Sequence, residues 1–221
     1  MPPFREALRS AAAPVWEKIF VHPFVRDVGA GAISPERFAH FVRQDYLYLQ
    51  DFARALSLTG AKAGRQEDLE TFAEHAANCV KVERALHSGL AARLGLTGDQ
   101  LAGAAPGPVT AAYTRHLLVT CRAGSFAEGL AALLPCYWIY REVGRRLAEN
   151  PPAEPLCAEW ISAYAGEGYG ALVEAQLSLA DRLEADLGSA ERERAVAAFI
   201  LSSRYEWMFW EQAYRLEGWP L

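Results

Sequence analysis

The sequence predicts an all-α protein of one domain, a helical bundle spanning residues 1–221. Two observations carry this. Apolar residues recur at spacings of three and four nearly end to end, the period of a buried helix face. Alternating runs of β-branched residues, the signature of strands, are absent. With 221 residues and 52% hydrophobic content, the chain is long enough and apolar enough for a sizeable core. No linker, internal repeat or low-complexity segment divides it.

The helices are read at roughly 3–21, 35–63, 66–94, 108–122, 126–148, 154–165, 168–187 and 190–216. Local chemistry marks several boundaries. Ser34-Pro35-Glu36 places an N-cap, a proline at the first helical position and an acid in the first turn. Ser125 to Glu128, "SFAE", has the form of a capping box. Gly188-Ser189 is expected to end one helix and cap the next. The long irregular connection is "LTGDQLAGAAPGPVT". Pro135, inside the 126–148 helix, removes a ladder hydrogen bond and is expected to kink the axis just before Cys136.

The bulk numbers narrow the function. The net charge is −5 and no stretch is strongly basic, so nucleic acid is not an expected partner. The longest apolar run, "GLAALLPCYWIY", is too short to span a membrane. The start, "MPPFREALRS", has no signal-peptide pattern, and a cytoplasmic location is expected. Cys79, Cys121, Cys136 and Cys157 form no C-x-x-C pair and are expected as reduced thiols.

Three helices carry polar groups where the period demands core. In "FVRQDYLYLQDF" the apolar stripe is Phe38, Phe41, Val42, Leu49, Phe52 and Leu56, and Asp45 falls in its middle. Asp51 points elsewhere, on the side of Gln44 and His40. In "GLAALLPCYWIYREVG" Cys136 shares its face with Gly129, Ala132, Leu133, Ile139, Tyr140 and Val143. In "ILSSRYEWMFWEQAYRLEGWP" Glu206 lies with Phe199, Ser202, Ser203, Phe209, Trp210 and Ala213. The bland reading is inert packing for the thiol and a buried ion pair for Glu206, for example with Arg204 or Arg141. The combination of two carboxylates and a thiol with Tyr48, Phe52, Tyr113, Tyr140, Tyr164, Phe209 and Trp210 favours a pocket for a flat heterocycle. One carboxylate would pair in-plane with a ring nitrogen and amino group. A second would move protons, and the thiolate would be the nucleophile.

At these residues the sequence resembles the TenA family, also called thiaminase II or aminopyrimidine aminohydrolase. The matching segments are "FVRQDYLYLQDFARALSL", "LPCYWIY", "WISAYAGEGY" and "YEWMFWEQAYRLEGWP", in family order. The resemblance implies a haem-oxygenase-like helical bundle, usually a homotetramer, needing no cofactor, metal or haem. It implies hydrolysis of aminopyrimidines derived from damaged thiamine, or of thiamine itself, to hydroxymethyl pyrimidine for thiamine salvage. It implies Cys136 as nucleophile at C6 of the pyrimidine and Glu206 as proton shuttle. Asp45 would bind the ring nitrogen and 4-amino group. Tyr48, Tyr113, Tyr140, Tyr164 and Phe209 would line the ring. Gly166, Gly168 and Gly170 stand where the family more often carries S-x-E-F, which is expected to alter the wall near Tyr164. The rival readings are a haem or di-iron protein of the same fold and a non-enzymatic pyrimidine-binding or regulatory protein. No histidine follows a glutamate by three residues, as bundle di-iron sites require. A mere binder would not need Cys136 and Glu206 together.

Overall fold

A computed structural model describes residues 3–220, except the side chains of residues 82–88 and 102. The described residues form helices and no strands. In chain order these are α1 (Phe4–Ala11), α2 (Ala13–Phe20), α3 (Pro23–Gly29), α4 (Pro35–Gly60), α5 (Gln66–Asn78), a π-helical turn (Cys79–Glu83), α6 (Arg84–Arg93), α7 (Gly98–Ala102), α8 (Pro108–Ala123), α9 (Phe126–Ala148), α10 (Pro155–Ala165), α11 (Glu167–Leu183), a 3-10 turn (Glu184–Asp186) and α12 (Ser189–Arg215).

The long helices form the bundle. α9 packs along α12 and α10, while α4 packs on α8 and α5. The stripe of Phe38, Phe41, Val42, Leu49, Phe52 and Leu56 on α4 is buried throughout, as its period requires. One hydrophobic core joins these faces, with Trp16, Trp160 and Trp210 among its largest fully buried side chains. Gly144 fixes the approach of α10 to α9. A Cβ there would lie 2.8 Å from the Tyr164 carbonyl carbon and 2.9 Å from the Ala165 nitrogen, so only glycine lets the backbones meet.

Several boundaries differ from the sequence reading. The 3–21 segment divides at Ala12, because Pro14 in the first turn of α2 has no N–H to donate into α1. His22 caps α3. Its Nδ1 accepts from the Phe24 N–H at 3.1 Å, and its Nε2 lies 3.0 Å from Glu211. The 66–94 segment is interrupted by the π-turn at Cys79. Ser34 caps α4 through the Arg37 N–H, as expected. Only half of the "SFAE" box forms: Ser125 accepts from the Glu128 N–H, while the Glu128 carboxylate turns to Arg194 at 2.9 Å. Gly188, not Ser189, occupies the N-cap position of α12. The irregular connection hides the short helix α7, closed by a capping box of Thr97 and Gln100. α9 runs through Pro135 without interruption.

Among the described residues no helix is long and apolar enough to cross a membrane. No group of three or more His, Cys, Asp and Glu among them could hold a metal ion.

Candidate active site

α4, α9 and α12 each carry one chemically active side chain to the same interior region. Asp45 and Glu206 are both buried, and Cys136 is half-buried. The Asp45 charge acts on Glu206 and on Tyr140. The Cys136 sulfur acts on Tyr48, Tyr113 and Tyr140. The three groups therefore share one aromatic enclosure, as their three separate helix faces suggested.

Glu206 is 2% exposed and has no described arginine or lysine against it. Arg141 pairs instead with Glu142 at 3.1 Å and Glu174 at 3.5 Å, and Arg204 is exposed. The Tyr113 hydroxyl donates to Glu206 Oε1 at 2.6 Å. Burial pushes the Glu206 carboxyl up to about 8, the Tyr113 hydrogen bond opposes this, and the Asp45 charge reinforces it. At neutral pH Glu206 is thus mostly protonated and able to give a proton. Burial holds the phenols of Tyr48, Tyr113 and Tyr140 far above the ordinary tyrosine value, so they act as hydrogen-bond donors.

The Tyr48 hydroxyl is turned toward Cys136 closely enough to feel its charge, but outside normal hydrogen-bond geometry. It is fully buried beside the Cys136 sulfur and the Tyr113 phenol, neither at ordinary hydrogen-bond geometry. Such a group marks a place where a ligand or a thiolate would be the acceptor. Its ring stacks on Phe52 (5.5 Å, 26°) and lies 5.0 Å from Tyr113 and 5.6 Å from Phe209. Tyr140 packs against Tyr164 at 4.9 Å and Trp210 at 5.5 Å. All the site residues read from the sequence, Asp45, Tyr48, Tyr113, Cys136, Tyr140, Tyr164, Glu206 and Phe209, thus lie in this one neighbourhood.

The other thiols differ from Cys136. All four cysteines are free, but Cys79, Cys121 and Cys157 are buried. Burial drives Cys121 up to about 11 and Cys157 up to about 12, where no thiolate forms at neutral pH. Asp51, on the other side of α4, pairs with Arg54 at 2.7 Å. Gln44 is not a surface residue: it holds the start of α8 by accepting from the Gly107 N–H (2.9 Å) and the Thr110 hydroxyl (2.6 Å). His22 has both ring nitrogens engaged within the protein.

A cavity of about 340 Å³ adjoins the enclosure. Its walls include Phe52 and Tyr164, which touch Tyr48 and Tyr140, and Tyr137, the residue after Cys136. Tyr169 closes it from α11, its hydroxyl donating to the Cys136 carbonyl at 3.4 Å and the Tyr137 carbonyl at 3.3 Å.

Residues 9–216 match the model of the TENA/THI-4/PQQC family. The chain belongs to this family. An aminopyrimidine aminohydrolase of Bacillus subtilis is 40% identical over 98% of this chain and 92% of its own length. Among solved structures, a TenA homologue from P. horikoshii OT3 is 32% identical with a TM-score of 0.89, covering 96% of this chain and 99% of its own. A domain of unknown function from Shewanella denitrificans is described as having a heme oxygenase-like fold. At 16% identity and a TM-score of 0.75, covering 96% of this chain and 92% of its own, it shows the shared fold. The expected haem-oxygenase-like bundle is therefore the fold of this family member.

Sequence reasoning missed part of the site. Tyr137, Tyr169, His75, Asn78 and Leu172 line the cavity but share no helix face with Asp45, Cys136 or Glu206. One signal was available: Tyr169 is a lone aromatic inside "GEGYG".

Proposed function

We propose that this chain is an aminopyrimidine aminohydrolase of the thiaminase II type, acting on thiamine or its aminomethyl-pyrimidine degradation products and releasing hydroxymethyl pyrimidine. The observation that carries the reading is the convergence of a half-buried thiol and two buried carboxylates, from three helices, inside one aromatic enclosure. The similarity to aminopyrimidine aminohydrolases supports the same chemistry.

In this reading Asp45 accepts from the 4-amino group and favours a proton on the neighbouring ring nitrogen. The Cys136 thiolate adds to C6 and breaks the aromatic sextet. The released electron pair expels the amine from the exocyclic methylene, and Glu206 supplies the proton that the amine takes away. Glu206, now a carboxylate, removes a proton from water as its oxygen adds to the methylene. Rearomatisation expels the thiolate. One water enters and one ammonia leaves. Tyr113 holds Glu206, Tyr48 stands as donor beside the sulfur, and Tyr140, Tyr164 and Phe209 orient the ring.

The whole chain forms one catalytic domain in this reading and works as a homotetramer in the cytoplasm, without a cofactor. Exposed Val119, Leu201 and Met208 offer apolar surface for subunit contact.

The direct test is turnover of the purified protein without added metal. Release of hydroxymethyl pyrimidine from aminomethyl pyrimidine or from thiamine is expected. Absence of product from both would overturn the assignment. The role of Asp45 is tested separately by calorimetry. Asp45→Asn presents a misplaced donor to the ring and should weaken hydroxymethyl pyrimidine binding by roughly 2–3 kcal/mol, the range for a charge-assisted bond. Unchanged affinity would remove Asp45 from ring recognition.

A further inference from the structure

The cavity beside the enclosure has a composition of its own. Its described walls carry no Asp, Glu, Lys or Arg. They present the rings of Phe52, Tyr137, Tyr164 and Tyr169. Ring faces of this kind hold flat groups, and they attract a cation without a carboxylate. The titratable residue His75 is tied down at Nδ1, with Gln176 Nε2 at 3.2 Å and the Tyr137 oxygen at 3.5 Å. Burial lowers its pKa, so it adds no repelling charge near neutral pH.

The cavity lies next to the thiol. Tyr137 follows Cys136 directly, and Tyr169 is anchored on the Cys136 carbonyl. In the reading above, a pyrimidine held by Asp45 and attacked by Cys136 would carry its exocyclic methylene within this neighbourhood. The group leaving that methylene then has this cavity beside it.

Gly168 determines how much of that space is open. It lines the cavity near the start of α11, and a Cβ placed on it would meet no atom within 4 Å. A side chain at 168 would therefore find open space at the exposed rim of the cavity without a clash against the helix. On the hydrolase reading above, we propose that this cavity is the leaving-group chamber and that Gly168 sets its width, admitting a flat, ring-sized cation such as a thiazolium.

Gly168→Ala and Gly168→Leu form a graded test, with thermal melting as the control for folding. Leucine should lower the ratio of kcat/KM for thiamine to kcat/KM for aminomethyl pyrimidine by about tenfold or more, and alanine by less. A second readout does not depend on turnover. In a Cys136→Ser background, Gly168→Leu should weaken thiamine binding about tenfold more than hydroxymethyl pyrimidine binding. If the wild type hydrolyses its substrates but both ratios stay unchanged in the alanine and leucine variants, the chamber is elsewhere and the hydrolase reading stands. If the wild type hydrolyses neither substrate, the hydrolase reading fails, and the binding ratio alone decides whether the cavity takes the ring.

Discussion

Cys136→Ser should fold normally and lose turnover by roughly 10³-fold or more, because a serine hydroxyl is almost wholly protonated and a far weaker nucleophile at neutral pH. The position tolerates the change sterically: Cys136 is half-buried and packs at the margin of the core rather than within it. Its environment is also distinct. Burial raises the Cys121 thiol, and burial with the neighbouring Glu154 carboxylate raises that of Cys157, whereas Cys136 is only half-buried and faces the phenol of Tyr48. Iodoacetamide should therefore inactivate the wild type, with hydroxymethyl pyrimidine protecting it. Near-wild-type turnover by Cys136→Ser would exclude covalent catalysis at this residue.

Glu206→Gln should bind hydroxymethyl pyrimidine about as well as the wild type, yet turn over aminomethyl pyrimidine roughly 10²–10⁴-fold more slowly. Glutamine keeps the shape and can still accept from Tyr113, but it cannot carry a proton. The loss should be smaller on thiamine, since a thiazolium leaves as the neutral thiazole without a proton while an amine needs one. The pH profile gives the sign independently. Glu206 titrates at about 8 and is the proton donor below that value, so wild-type kcat/KM on the aminopyrimidine should fall as pH rises through about 8. That limb should be absent from the variant. Stability runs the same way. The carboxyl ionises near its ordinary value in the unfolded chain but only near 8 in the fold. The folded state therefore loses stability as pH rises between those values. Glu206→Gln, having nothing to ionise, should lose less melting temperature than the wild type between pH 5 and 8. Equal kinetic losses on the two substrates would confine Glu206 to water activation. No loss on either would leave it a structural carboxylate.

The long helices and their buried faces were legible in the chain because a 3.6-residue period is a local property. Asp45, Cys136 and Glu206 stood out for the same reason: each interrupts an apolar stripe that its own helix defines. Short elements were less legible. α3 and α7 span seven and five residues, too few turns for a period to show, and the π-turn at Cys79 leaves no residue pattern distinct from a continuous helix. The partner of Glu206 could not be chosen from the sequence. Arg204, Arg141 and Tyr113 were all available, and only the packing of α8 against α12 brought the Tyr113 hydroxyl, rather than a guanidinium, to the carboxyl. That choice decides the chemistry, since an arginine would have kept Glu206 ionised, whereas the Tyr113 hydrogen bond does not offset burial, and the carboxyl stays protonated at neutral pH. The cavity, too, exists only in three dimensions. Phe52, His75, Tyr137, Tyr164 and Gly168 come from separate helices and share no spacing, so nothing local relates them. By itself the sequence determined which residues face inward, because burial follows a period. Only the tertiary structure decided which of those residues meet and what space they leave, because desolvation and hydrogen bonding depend on neighbours far apart in the chain.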